Sequence, residues 1–118
     1  SVNPVVMHQA ALIGNMYMEE IMAKPFLDPT TGTACPSAPA SRTSFDNVCD
    51  YSGFFSNASV TDQYGNSVTN LQDYRVSVSV TNGTAWQGIA GADVMQVAVT
   101  VSHSEIPDMT LTAYRTRY

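Results

Sequence analysis

Hydrophobic residues in the first part of the chain recur with the period of an α-helix over residues 4–23. At steps of about 100° they fill one continuous arc of roughly half the helix circumference. Asn3 is placed to cap the first amide groups, Pro4 occupies the first helical position, and Pro25 ends the helix. The pattern predicts an amphipathic helix whose broad apolar arc consists of Val6, Met7, Ala10, Ala11, Ile13, Tyr17, Met18, Ile21 and Met22.

A second, narrow apolar stripe runs along the same predicted helix and consists of Val5, Leu12 and Met16. Two polar lines flank it, formed by His8, Asn15 and Glu19 on one side and by Gln9 and Glu20 on the other. Packing on a single sheet would cover the broad arc but leave this stripe in water. We therefore predict that the stripe is a contact with a second protein chain.

Beyond residue 70 the hydrophobic period changes to two, which is typical of half-buried strands. Apolar and polar residues alternate over 74–81, 95–102 and 109–114. The predicted connections are a glycine-rich loop over 82–93 and a short turn around Pro107-Asp108. Sequential strands with such short connections favour an antiparallel meander.

Helix and meander together predict an α+β fold, with the N-terminal helix packed on a three- to four-stranded antiparallel sheet. We expect one domain over residues 1–118, with a loop over 26–50 and the meander over 73–118. Residues 45–70 are ambiguous, because Phe54-Phe55 and Val60 fit either a short strand or a loop packed on the sheet. The predicted core joins two sets, namely Val6, Ala10, Ile13, Tyr17 and Ile21 of the helix and Val76, Val78, Val97, Val99 and Leu111 of the sheet.

The two cysteines, Cys35 and Cys49, are separated by 13 residues without hydrophobic periodicity. No histidine lies near them and they form no C-x-x-C motif, so a disulfide is the better interpretation than a zinc or redox site. A disulfide indicates the periplasm or the cell exterior. The net charge of −5 argues against a nucleic-acid partner, which would require clustered basic residues.

The sequence carries no catalytic constellation. Neither His8 nor His103 has a carboxylate at a motif spacing, and no nucleophile, zinc-protease or phosphate-loop motif is present. Asp46, Asn47 and Asp50 suggest calcium by composition, but they lack an EF-hand spacing and fit turn chemistry better. We therefore expect no enzymatic activity, no metal and no cofactor.

Several surface features leave alternatives open. Trp86, the only tryptophan, is either a ligand- or partner-binding ring on a loop or an anchor that packs this loop against the sheet edge. The arginines of the β half pair either with acidic neighbours in the same chain or with a neighbouring subunit; they are Arg75, Arg115 and Arg117. The triplets at 57–59 and 82–84 match the N-glycosylation acceptor pattern, which also arises by chance.

Four short segments carry a resemblance to a family of bacterial surface proteins. Residues 17–26 (YMEEIMAKPF) are similar to the helix end, and residues 45–51 (FDNVCDY) to the loop, of MshD-like minor pilins of the mannose-sensitive haemagglutinin pilus. Residues 71–80 and 111–116 are similar to their strands. The order of helix, loop, disulfide and antiparallel sheet is also that of type IV pilins and type II secretion pseudopilins in general.

The resemblance implies a structural role and a location. Pilins are made with a leader peptide and a very hydrophobic half-helix that anchors them in the inner membrane, and both would precede Ser1 in the full-length protein. Assembly then moves the subunit from the inner membrane and periplasm into a pilus, or fimbrium, on the bacterial cell surface. The implied partners are other pilin or pseudopilin subunits, and the stripe of Val5, Leu12 and Met16 becomes a candidate subunit seam.

We therefore expect a minor pilin that assembles into, or primes, a type IV pilus of the mannose-sensitive haemagglutinin type. One alternative is a binding module for cell adhesion at the filament tip, which would meet a surface ligand through the Trp86 loop or the disulfide loop. A second alternative is a minor pseudopilin of a type II secretion system. The resemblance covers the chain from about Pro4 onward.

Overall fold

A computed structural model describes residues 3–56, 60–68, 70–83 and 85–117. The N-terminal helix, α1, spans Pro4–Met22, and its first amides are capped as predicted, because Asn3 Oδ1 accepts hydrogen bonds from the backbone N–H groups of Val5 (3.0 Å) and Val6 (3.3 Å). Ala23 is the C-terminal cap, so the helix ends one residue before the predicted position.

The strands form one antiparallel sheet in the order β1-β2-β3-β4. Their bounds are Phe55–Ser56 for β1, Arg75–Asn82 for β2, Val94–His103 for β3 and Ile106–Thr116 for β4. Short 3-10 helices lie at Arg42–Ser44, Val48–Tyr51 and Gly91–Asp93. The α+β class with a helix on a four-stranded antiparallel sheet is confirmed.

The ambiguous segment 45–70 contains both of the structures that its sequence allowed. Phe55 pairs with Ser77 in the short strand β1, while Val60 is fully buried outside any strand. Phe54 packs partly buried against the core.

The predicted turn at Pro107-Asp108 is wrong. The chain reverses at Ser104 and Glu105, and both predicted turn residues lie inside β4. The register passes from His103↔Ile106 to Val101↔Met109, which leaves Pro107 and Asp108 opposite Ser102 in a bulge. Proline is tolerated there because β4 is an edge strand and the bulge interrupts the ladder.

The helix covers one face of the sheet and buries the predicted core between them. Each predicted core residue is buried except Leu111, which is half-buried. Leu111 Cδ1 would lie 2.7 Å from a Cβ atom at position 14, so Gly14 allows α1 to approach β4 closely. The other face of the sheet carries alternating hydroxyl and amide side chains, among them Ser77, Ser79, Gln96, Thr100, Thr110 and Thr112.

Candidate interaction surface

The narrow stripe of α1 is divided by the fold into exposed and packed residues. Val5 is 66% exposed and Leu12 is 56% exposed, whereas Met16 is partly buried against the core. Val5 and Leu12 are two helical turns apart, about 10 Å along the axis. Since a leucine and a valine on one line of a helix are exposed, this face of α1 offers apolar surface to a partner.

A groove adjoins the stripe between α1 and the segment 61–71. Its upper part, toward the N-terminal end of α1, is a hollow of about 250 Å³ lined by Gln9, Leu12, Ile13, Met16 and Leu71. Its lower part, toward the C-terminal end of α1, is a hollow of about 400 Å³ lined by Met16, Glu19, Glu20, Ala23, Asp62, Gln63 and Tyr64. Met16 borders both hollows, so we treat them as one feature, the helix groove.

The sequence did not predict the second wall of the helix groove. Leu71 and Tyr64 belong to irregular backbone, where no hydrophobic periodicity identifies a face, and Tyr64 is 73% exposed. A local turn fixes this wall, because Asp62 Oδ1 accepts backbone hydrogen bonds from Tyr64 (2.9 Å) and Asn66 (3.0 Å). The hydrogen bond from Asn66 is the main reason that the pKa of Asp62 is lowered.

A buried ion pair behind the groove joins its two walls, and it too was missed. Arg42, in the disulfide loop, pairs with Glu20 of α1, and the two side chains are only 5% and 8% exposed. The same guanidinium donates to the carbonyl oxygen (2.7 Å) and the hydroxyl oxygen (2.8 Å) of Thr61, at the start of the second wall. Arg42 therefore holds the helix, the disulfide loop and segment 61–71 in one arrangement.

Two tyrosines complete this buried cluster. The Tyr51 hydroxyl donates to Glu20 Oε2 at 2.6 Å, and the Arg42 guanidinium lies 4.3 Å from the centre of the Tyr17 ring. Burial, and then the hydrogen bond to Glu20, raise the pKa of Tyr51, so its hydroxyl keeps its proton to higher pH than that of an ordinary tyrosine. No sequence motif marks these residues, because their contacts join positions more than 20 residues apart.

The disulfide between Cys35 and Cys49 is confirmed, with the two Cα atoms 5.0 Å apart.

Asp46, Asn47 and Asp50, next to this disulfide, form hydrogen bonds within their own turn, as the turn interpretation predicts. Asn47 Oδ1 accepts from the backbone N–H of Asp50 (3.2 Å), and Asp50 Oδ2 accepts from that of Asp46 (3.0 Å). Asp50 Oδ1 is buried and accepts no hydrogen bond, but no group of three or more metal-ligating side chains occurs among the described residues.

Trp86 is half-buried, and its ring stacks on that of Tyr114 with the ring centres 4.9 Å apart and the planes 9° apart. This contact packs the β2–β3 loop against the edge strand β4, which is the anchoring alternative considered for Trp86. One face of the indole is covered by Tyr114, and ligand binding by the loop stays a prediction.

The three arginines of the β half have different surroundings. Arg117 pairs with Asp93 at 3.6 Å on the surface, and Arg115 donates to the carbonyl of Lys24 at 3.4 Å. Arg75 is exposed, and no described carboxylate lies within 4.0 Å of its guanidinium. Among the described residues, a carboxylate partner is thus found for Arg117 but for neither Arg75 nor Arg115.

The remaining sequence candidates lie apart from the helix groove or outside the described residues. His8 is exposed on α1, and His103 Nδ1 accepts a hydrogen bond from the backbone N–H of Glu105 at 3.1 Å. In the second glycosylation triplet, Asn82 Nδ2 donates to the carbonyl of Val94 at 3.1 Å. The triplet at 57–59, and residue 84 of the second triplet, lie outside the described residues.

Within the part of the chain that the structure describes, no helix combines the length and the apolar character needed to cross a membrane. No protein-family model, no curated protein and no solved structure matches this chain.

Proposed function

We propose that the protein is a minor pilin, a structural subunit that packs into a type IV pilus of the mannose-sensitive haemagglutinin type through the exposed stripe of α1. The observation that carries this proposal is the exposure of Val5 and Leu12 on a helix that packs its buried residues on β3 and β4. One face of α1 packs on the sheet of its own chain, and the other face packs on a neighbouring subunit.

The helix groove suits an α-helix of a neighbouring subunit. It is elongated along α1, and Leu12, Met16 and Leu71 give its upper part an apolar floor. Helices pack when side chains of one insert between those of another at an axial distance of 8–10 Å. Gln9 and Glu19 border the apolar strip and would form a polar rim around such a contact.

A few residues would supply most of the free energy of this contact. Full burial of an exposed leucine or valine side chain is worth roughly 1.5–3 kcal/mol. Leu12 and Val5 retain more than half of their surface in the isolated domain, so most of that gain is still available to a partner. The alternative function, a minor pseudopilin of a type II secretion system, would use the same contact. In either case the protein would lie in the inner membrane, facing the periplasm, before assembly.

The test is incorporation of the full-length protein into filaments. Val5→Ala combined with Leu12→Ala should reduce the amount recovered in sheared filaments by more than about tenfold, since about 2 kcal/mol of contact energy is lost. Because both side chains are exposed, the thermal unfolding of the isolated domain should be almost unchanged.

Phe55→Ala is the matched control, because Phe55 is 57% exposed but pairs with Ser77 on the face of the sheet away from α1. It should leave incorporation at the wild-type level. If the double variant is incorporated as well as wild type, the stripe is not a subunit seam and the proposal fails.

A further inference from the structure

A second polar hollow lies at the end of the sheet where β2 begins and β3 ends, and its lining shares no residue with that of the helix groove. Its volume is about 310 Å³, and it is lined by Asp73, Arg75, Ser102, His103 and Ser104. These residues come from the start of β2, the end of β3 and the turn that follows it. Arg75 and Ser102 are direct partners in the β2–β3 register, so their side chains share the face of the sheet away from α1.

Arg75 is the cation of this hollow and is left unneutralised by the described residues. Arg42 pairs with Glu20 and Arg117 pairs with Asp93, whereas the Arg75 guanidinium has no described carboxylate within 4.0 Å. A guanidinium offers two parallel N–H groups that match the two oxygens of a carboxylate.

His103 is held in a defined orientation beside Arg75. Its ring lies 4.7 Å from the ring of Tyr74, and Tyr74 is buried with its hydroxyl bonded to Gln9 of α1. Because His103 Nδ1 accepts the backbone N–H of Glu105, the proton of the neutral imidazole must sit on Nε2. The hollow thus combines an arginine fork and an imidazole ring with the hydroxyl groups of Ser102 and Ser104.

Asp73 narrows the class of ligand. A carboxylate in the same lining repels a dianion such as phosphate more strongly than a singly charged carboxylate, and it accepts hydrogen bonds from hydroxyl groups. Phe55 adds an apolar surface nearby, since it pairs with Ser77, two residues beyond Arg75 on β2, and is 57% exposed. Diagonal neighbours on one face of a sheet lie about 7–8 Å apart, within reach of a long and an aromatic side chain. The combination fits a ligand with one carboxylate, several hydroxyl groups and a ring that has an apolar face of C–H groups.

We propose that this hollow, the Arg75 pocket, binds a uronic acid, that is, a sugar that carries one carboxylate. The carboxylate pairs with Arg75, the sugar hydroxyl groups bond with Asp73 and the two serines, and the sugar ring lies toward Phe55. A neutral sugar would leave Arg75 unpaired. A phosphate, which carries more negative charge than a single carboxylate, would be repelled more strongly by Asp73. This activity is independent of filament assembly and does not rest on the proposed pilin role.

The experiment is titration of the 118-residue chain with galacturonic acid, followed by amide NMR shifts and by calorimetry. We expect saturable shifts confined to the neighbourhood of residues 73–75 and 102–104, with galactose and inorganic phosphate binding at least about tenfold more weakly. A second titration uses trigalacturonate. If trigalacturonate binds more tightly than galacturonic acid, the natural ligand is an acidic polysaccharide; if the two bind equally, it is the free sugar acid.

Arg75→Gln should weaken binding of galacturonic acid at least tenfold, which corresponds to about 1.4 kcal/mol, without changing thermal unfolding. Arg117→Gln, which removes an arginine already paired with Asp93, should leave the affinity unchanged. The proposal is overturned if galacturonic acid causes no saturable shifts, if galactose or phosphate binds equally well, or if the two arginine variants lose affinity to the same extent. Filament incorporation by the Arg75 variant is not expected to change, so failure here leaves the pilin proposal intact.

Discussion

At the scale of single residues, Arg42 has the largest structural consequence in the molecule. A guanidinium that is almost fully buried requires neutralisation and hydrogen-bond acceptors, because its transfer from water costs several kcal/mol. Glu20 supplies the charge, and the carbonyl and hydroxyl oxygens of Thr61 supply acceptors. The ion pair specifies how the disulfide loop docks on α1, since a slip of the loop would leave both charges buried and unpaired.

Arg42→Met should destabilise the fold by about 3–5 kcal/mol, because it leaves the Glu20 carboxylate buried without a cation. Arg42→Met combined with Glu20→Met should cost much less, since neither charge of the pair is then left without its partner. Urea unfolding of the oxidised protein measures both values. Arg117→Met is the control and should cost less than about 1 kcal/mol, because its pair with Asp93 is on the surface. Equal losses in the single and double variants would contradict this account of the cluster.

Tyr51 should make the fold sensitive to alkali. Burial and the hydrogen bond to Glu20 raise its pKa above the ordinary value of 10.0, so the folded state holds the phenolic proton more tightly than the unfolded state does. The resulting stability is fully present below about pH 10 and decreases as the pH rises above that value. Tyr51→Phe should therefore show a shallower loss of unfolding free energy above pH 10 than wild type, measured by urea unfolding at a series of pH values. Tyr64→Phe, at an exposed position, should retain the wild-type slope, and a Tyr51→Phe slope identical to wild type would refute the assignment.

At the scale of elements, the two irregular segments are ordered by different means. The loop over 26–50 has a disulfide, three buried apolar side chains (Phe26, Phe45 and Val48) and the Arg42 ion pair. The β2–β3 loop instead depends on close backbone approach and on the Trp86–Tyr114 stack. Because the first loop has several independent anchors, removal of one should weaken the fold without undocking the loop.

Replacing both Cys35 and Cys49 with serine should lower the free energy of unfolding by about 3 kcal/mol, since the unfolded chain regains the entropy of the open loop. The folded structure should persist, because Phe45 and Val48 stay buried in the core and Arg42 still pairs with Glu20 of α1. Urea unfolding gives the energy, and amide NMR shifts of residues 42–48 report docking. Large shift changes throughout those residues would show that the disulfide, and not the buried contacts, positions the loop.

Gly91→Ala should disrupt the β2–β3 loop. A Cβ atom at position 91 would collide with the backbone carbonyl of Gly83, which cannot turn away as a flexible side chain can. We expect a loss of about 1–3 kcal/mol, typical of overpacking, together with a change in the fluorescence of Trp86, the only tryptophan. Ala90→Ser, at an exposed neighbouring position, should change neither quantity. A stable Gly91→Ala variant with wild-type fluorescence would show that the loop backbone readily shifts.

At the scale of the whole molecule, local patterns predicted the elements and their order, while long-range contacts escaped prediction. The cap at Asn3 and the period of 3.6 placed α1 within one residue, and the period of two placed β2 and β3 closely. Pro107 misled the turn assignment, because a proline in an edge-strand bulge has the same local signature as one in a turn. The helix stripe was visible in the sequence, but the second wall of the groove and the Arg42 cluster depend on contacts that no local pattern encodes.

The helix groove and the Trp86 loop occupy different parts of the molecule, so subunit packing and any tip binding are separable. Trp86 stacks on Tyr114, which pairs with Gln96 on the face of the sheet away from α1, whereas the helix groove lies along α1. Trp86→Ala should therefore leave incorporation of the full-length protein into filaments at the wild-type level, with a loss of about 0.5–1.5 kcal/mol in domain stability from the lost aromatic pair. Recovery in sheared filaments measures incorporation, and urea unfolding measures domain stability.

Adhesion of filaments that carry Trp86→Ala should match wild type, because the ring acts as an anchor for its own loop. Normal incorporation with reduced adhesion would instead favour the tip-binding alternative, and reduced incorporation would place the Trp86 loop within the subunit contact.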